Sequence, residues 1–150
     1  MRGLAMATSD GIASDEWDRV HELAVDIVNA DETGATECRN RLLNYLETLE
    51  HKYGELPSIL STRADYVDDL TAKEALLLRA YALAKARSDY RNVTYVAHSL
   101  AELYIEEFKN YWEGQRWLED LKQHLPQADD SLFAEEYERL RGLLHQIPRS

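Results

Sequence analysis

Apolar residues recur at three- and four-residue steps along nearly the whole chain, the period of one buried stripe on an α-helix. Trp17, Val20, Leu23, Ala24, Ile27 and Val28 form the first stripe. Ser14, followed by Asp15 and Glu16, predicts where that helix starts. A serine hydroxyl can accept from a free backbone N–H, and acids favour the positive end of the helix dipole. Asp31 to Gly34 breaks the stripe. Cys38, Leu42, Tyr45, Leu49 and Tyr53 make the second, widened by Leu46, and Gly54 marks its end. Pro57 opens a short third helix with Ile59, Leu60, Ala64 and Val67, since a first-turn proline forfeits no helical hydrogen bond. Asp68 to Leu70 reads as loop. Thr71-Ala72-Lys73-Glu74 matches a capping box, in which two side chains satisfy each other's free backbone N–H. The run from Ala75 to Arg87, rich in the best helix formers, follows it.

Ser88-Asp89-Tyr90 ends that helix. Asn92 to Phe108 predicts the next, with Val93, Val96, Ala97, Leu100, Leu103, Tyr104 and Phe108 facing inward. Asn110 to Gly114 makes a junction, after which Trp117, Leu118, Leu121 and Leu125 run to Pro126. Asp129, Asp130 or Ser131 caps a last helix carrying Leu132, Phe133, Tyr137, Leu140, Leu143 and Leu144, ending near Pro148. Short connections between long helices imply antiparallel neighbours. The expected fold is all-α: five or six antiparallel helices stacked as hairpins or a bundle, in a single domain over residues 14–148. Residues 1–13 are short of apolar positions and are expected to form a disordered leader.

The stretch from Lys73 to Pro126 resembles tetratricopeptide-type helical hairpins. Leu100-Ala101-Glu102-Leu103-Tyr104 is similar to the Leu-small-x-x-Tyr pattern of that family's first helix. Asn110-Tyr111 resembles the turn that follows it, Gly114, Leu118 and Leu121 fall near the packing positions, and Pro126 near the closing proline. Ser88-Asp89-Tyr90 looks like a second such turn. The two turns lie 21 residues apart (Asp89 to Asn110), where a true repeat needs about 34. They therefore mark successive helices. The resemblance implies stacked antiparallel helices.

Composition narrows the function classes. With 17 Lys and Arg against 28 Asp and Glu, the chain carries −11, which repels nucleic acid and anionic lipid. One cysteine among 150 residues excludes an intrachain disulfide and a multi-cysteine metal site, and a cytoplasmic location is expected. Cys38 lies on an apolar stripe and reads as packing. The charge is uneven. Residues 1–37 hold nine acids and two bases, net −7; residues 38–98 are at +1. Residues 99–138 hold eleven acids and three bases, net −8, and Arg139, Arg141 and Arg149 put +3 on the tail.

Candidate chemistry is sparse. His21, His51, His98 and His124 each have a carboxylate one turn away (Asp18, Glu47, Glu102 and Asp120), a spacing that puts both groups on one helix face. The Glu-x-x-His signature of di-iron bundles does not occur, and no metal or cofactor is expected. Gly-rich phosphate loops and nucleophile elbows are missing too. One enzymatic alternative remains. Glu47-x-x-Glu50 followed by Asp65-x-x-Asp68 resembles the carboxylate pairs by which all-α nucleotide pyrophosphohydrolases hold Mg²⁺. The favoured expectation is a non-catalytic interaction protein, like a toxin-immunity protein or secretion chaperone, with an acidic helical surface for a basic protein partner. Tyr111 and Trp112 flank an interhelical turn and would be its anchors, with Glu102, Glu106, Glu113 and Glu119 beside them. The apolar seams also leave pairing with a second copy open.

Overall fold

The computed structural model describes residues 8–128 and 130–149, and among them no β-strand occurs. Seven α-helices follow one another: α1 (Ser14–Asn29), α2 (Glu32–Tyr53), α3 (Pro57–Ala64), α4 (Leu70–Ala86), α5 (Tyr90–Glu102), α6 (Tyr111–His124) and α7 (Ser131–Leu144). A π turn, Leu103–Glu107, extends α5, and a 3₁₀ turn, Leu125–Gln127, extends α6. The all-α expectation holds, with seven helices where five or six were expected. The break expected at Asn110 is a firm local stop. Lys109 takes a left-handed φ of 51°, and the Asn110 side chain then accepts from the Glu113 N–H, so α5 and α6 stand apart.

Each helix packs on the next in sequence. Connections of two to five residues leave a helix little choice but to fold back along its predecessor. Aspartates cap four starts: Asp31 accepts from Gly34 N–H, Asp69 from Thr71, Asp89 from Asn92 and Asp130 from Leu132. Two caps expected from the sequence differ. Ser14 is the first helical residue of α1, and the N-cap is Ala13, with no side-chain cap. Thr71 lies inside α4, because Asp69 takes the cap from the loop before it. Glu74, its presumed capping partner, instead accepts the Tyr104 hydroxyl.

The leader is also more structured than expected. Residues 1–7 lie outside the described residues, but Thr8–Ala13 is docked. Ile12 is fully buried, and Asp10 accepts from the Ser58 N–H at 2.7 Å and the Ser58 hydroxyl at 2.8 Å. Ser9 donates to Asp89 at 2.6 Å, tying the leader to the α4–α5 turn. A serine-aspartate pair finds its partners on helices more than forty residues away, a contact no local pattern encodes.

The interior divides in two. Ile12, Val20, Leu23, Leu42, Leu46, Leu49, Leu56 and Ile59 form a smaller core between α1, α2 and the start of α3. Leu60 and Ala64 at the far side of α3 join the larger core of α4–α7, where Leu77, Val96, Leu100, Leu121 and Leu140 are buried. So α3, eight residues long and buried at six of them, joins the two halves. The π turn shapes the larger core. Its extra residue lets three consecutive side chains, Leu103, Tyr104 and Ile105, all turn inward. Gly114 of α6 makes room for it: a Cβ there would sit 2.7 Å from Ile105 Cγ1. Some expected core positions are outside. Val28 at the end of α1 is 83% exposed and Phe108 36%. Cys38 is half-buried.

Candidate functional site

The six residues expected to form an acidic, aromatic docking face divide into three groups. Tyr111 is buried against the core and covered by the Arg149 guanidinium 4.7 Å from its ring centre, so it is no surface anchor. It follows the turn, and α6 rolls it inward on the same side as Gly114 and Trp117. Trp112 stays outward, 59% exposed, with its ring edge-on to Tyr111 at 5.1 Å. Glu119 is exposed, and Glu113 is half-buried and reaches Arg116 at 3.5 Å. Glu102 and Glu106 face α7.

There the fold builds a cluster that no local motif announces. Arg139 of α7 donates to Glu102 at 2.9 Å, to Glu106, and to both carboxylate oxygens of Glu136 at 2.9 Å each. His98 of α5 places its Nε2 2.7 Å from Glu136. The His98 ring is held edge-on to Phe133 at 5.6 Å, which fixes its direction. His98 and Glu102 lie one turn apart on α5, Glu136 and Arg139 three residues apart on α7, and Glu106 in the π turn that joins α5 to the junction. Three helical segments thus converge.

Charge sets the protonation of the group. The Arg139 hydrogen bonds hold the Glu136 carboxyl down at about 2, against the cost of its partial burial, and His98 adds to the effect. The same hydrogen bonds hold the Arg139 proton more firmly than usual. On the approach from α3, the Asp65 carboxyl is pushed up to about 6 by desolvation, with Glu102 acting in the same direction and Lys73 against it. With His98 neutral, three carboxylates face one guanidinium, so the cluster retains an excess of negative charge.

The carboxylates of the Mg²⁺ alternative do not assemble. Glu50 binds Arg63 at 2.8 Å, Asp68 binds Arg39 at 3.0 Å, and Glu47 lies 3.8 Å from His51. Asp65 feels Lys73, Glu102 and His98 instead of Glu47 or Glu50. Glu47, Glu50 and Asp68 each sit beside a base of their own and Asp65 lies apart from them, which removes the convergence a shared Mg²⁺ requires. Among the described residues, the one set of three potential ligands within mutual reach is His98, Glu102 and Glu136. The His98–Glu102 spacing was visible in the sequence as a helical pair. Glu136 was not, because its proximity depends on how α7 packs on α5.

A second acidic surface lies at the other end of the molecule. On α1, Glu16 is taken by Lys52 and Tyr53, and Glu22 by Arg19. Asp15, Asp18 and Asp26 form no ion pair among the described residues. Positions 15, 18, 22, 25 and 26 share one side of the helix at 3.6 residues per turn. Val25 stands there 55% exposed, beside the still more exposed Val28. Against α1 only α2 packs extensively, which leaves this face open. No helix among the described residues is long and apolar enough to cross a membrane. No family model matches the chain, and the searches of curated proteins and of solved structures give no match either.

Proposed function

We propose that the chain is a non-catalytic helical module that docks a basic protein partner on acidic surface carrying exposed apolar side chains. The observation that carries the proposal is the outer face of α1, where Asp15, Asp18 and Asp26, without an ion pair among the described residues, surround exposed Val25. Exposed carboxylates attract a cationic partner over about a Debye length, and apolar contact then holds it. Trp112, with Glu119 on the same helix, supplies a second exposed patch of the same character. Interfaces seat apolar side chains at a core ringed by a polar, solvent-accessible rim. The class matches small immunity proteins and secretion chaperones in chemistry, which is an analogy of surface type.

The experiment is affinity capture on the immobilised full chain, with retained proteins identified by mass spectrometry. It is run at about 0.1 M and about 1 M salt, where the Debye length falls from about 10 to about 3 Å. Retention of a basic protein at low salt only, abolished by the double reversal Asp18→Lys/Asp26→Lys, supports docking on α1. Loss with Trp112→Ala alone moves the site to α6. Retention indifferent to salt and to all of these variants overturns the proposal.

A further inference from the structure

We propose that His98, Glu102 and Glu136 form a site for a borderline transition-metal dication, Zn²⁺ being the matching ion, and that Arg139 is the internal cation competing for it. The three side chains offer one imidazole nitrogen and two carboxylate oxygens, all within 4.8 Å of one another. Zn²⁺ binds such atoms at about 2.0–2.2 Å, so tetrahedral ligands stand roughly 3.4 Å apart. His98 and Glu136 are already closer than that, at 2.7 Å, and small torsions of the flexible Glu102 side chain close the remainder. The donor set selects the ion. An imidazole with two carboxylates suits Zn²⁺ and its neighbours, whereas Mg²⁺ and Ca²⁺ prefer oxygen alone.

Charge points the same way. Glu102, Glu106 and Glu136 face Arg139, which leaves two negative charges in excess when His98 is neutral. A dication removes that excess. Arg139 keeps Glu106 as a partner when the metal takes Glu102 and Glu136, so displacement does not strand it. The His98 ring is pre-oriented by Phe133, and the Glu102 side chain is 41% exposed, which leaves the metal open to water and to entry from solvent. Nε2 must shed any proton it shares with Glu136, so metal uptake weakens as pH falls.

Isothermal titration of the full chain with Zn²⁺, and separately with Mg²⁺, tests this. Expected is one Zn²⁺ per chain and no comparable Mg²⁺ binding. His98→Ala and Glu136→Gln each weaken Zn²⁺ binding by about ten-fold or more, the loss expected at least for a ligand when supporting residues alone cost about 10–100-fold. Arg139→Gln tightens it, and His21→Ala and His51→Ala, which change exposed histidines elsewhere, leave it unchanged. Far-UV circular dichroism checks folding, and His98→Gln replaces any His98→Ala protein that fails to fold. Zn²⁺ binding that neither His98 variant weakens overturns the site. So does the absence of one-to-one binding in both the native chain and Arg139→Gln. Tightening absent in Arg139→Gln overturns the competitor role.

Discussion

The two acid-rich ends of this molecule have nearly the same charge in sequence and opposite fates in structure. Residues 1–37 carry −7, residues 99–138 carry −8. On α1, Glu16 and Glu22 each meet one base, while Asp15, Asp18 and Asp26 stay on the surface with no base among the described residues. On α5 and its π turn the acids are held by Arg139, and Arg149 covers the neighbouring aromatic. The cationic tail of the sequence thus folds back on the anionic stretch before it. Net charge along a chain therefore measures how much charge a segment brings, and tertiary pairing decides how much of it a partner can meet.

The sharpest way to break this contrast is to remove the closing cation. Arg139→Ala leaves Glu102, Glu106 and Glu136 facing one another. These groups are partly exposed, so the loss is below that of a fully buried pair, about 2 kcal/mol in urea denaturation. A loss under about 0.5 kcal/mol, the range of ordinary surface substitutions, would mean the cluster is no more than surface decoration.

Gly114→Ala attacks the scaffold under the same cluster. Its new Cβ would crowd Ile105 in the π turn. Overpacking costs about 1–3 kcal/mol, and alanine's better helix propensity returns about 1, for a net loss near 1 kcal/mol. An equal or higher midpoint shows that α6 shifts freely and does not fix the position of Glu106.

The pH dependence separates two carboxyls. The Glu136 carboxyl is depressed when folded, to about 2. Its contribution is therefore present above its unfolded value of about 4.5 and lost as pH falls from there through 2. Asp65 has the opposite sign, raised to about 6. The folded state favours its protonated form, so that contribution is present below about 4 and lost as pH rises through 6. Asp65→Asn should raise the urea midpoint at pH 7 relative to the native chain, with the difference vanishing near pH 4. Arg139→Ala should flatten the acid limb below pH 4.5. The reverse sign in either titration discards the corresponding assignment.

The smallest expected effect is on α1. Asp26→Ala removes an unpaired surface acid and should change stability by less than about 0.5 kcal/mol. A larger loss would show that α1 is internally paired after all, and the difference between the two ends would disappear.

Much of the fold could be read directly. The stripe of Val20 and Leu23, the Gly54 stop at φ +84° and the Pro57 start are local, because helix period and terminus chemistry act within a few residues. The caps at Ser14 and Thr71 failed where an adjacent segment changed the starting point: the docked Thr8–Ala13 before α1, and Asp69 before α4. Of the docking face, only Trp112 and Glu119 kept the exposure expected of them. Tyr111 was misplaced because a residue one position after a turn can face either way until the helix beyond it packs.

The sequence by itself determined that this chain is helical, where most of its helices start and stop, and that it carries strong negative charge. These follow from periodicity, terminus preferences and composition, which need no distant contact. Only the tertiary structure decided which acids remain available. His98, Glu102, Glu106, Glu136 and Arg139 come from three separate segments, and their meeting depends on the π turn, on Gly114 letting α6 approach it, and on α7 lying against α5. Ion pairs form over a few ångströms, so a distance of more than thirty residues along the chain says nothing about them until the helices are packed.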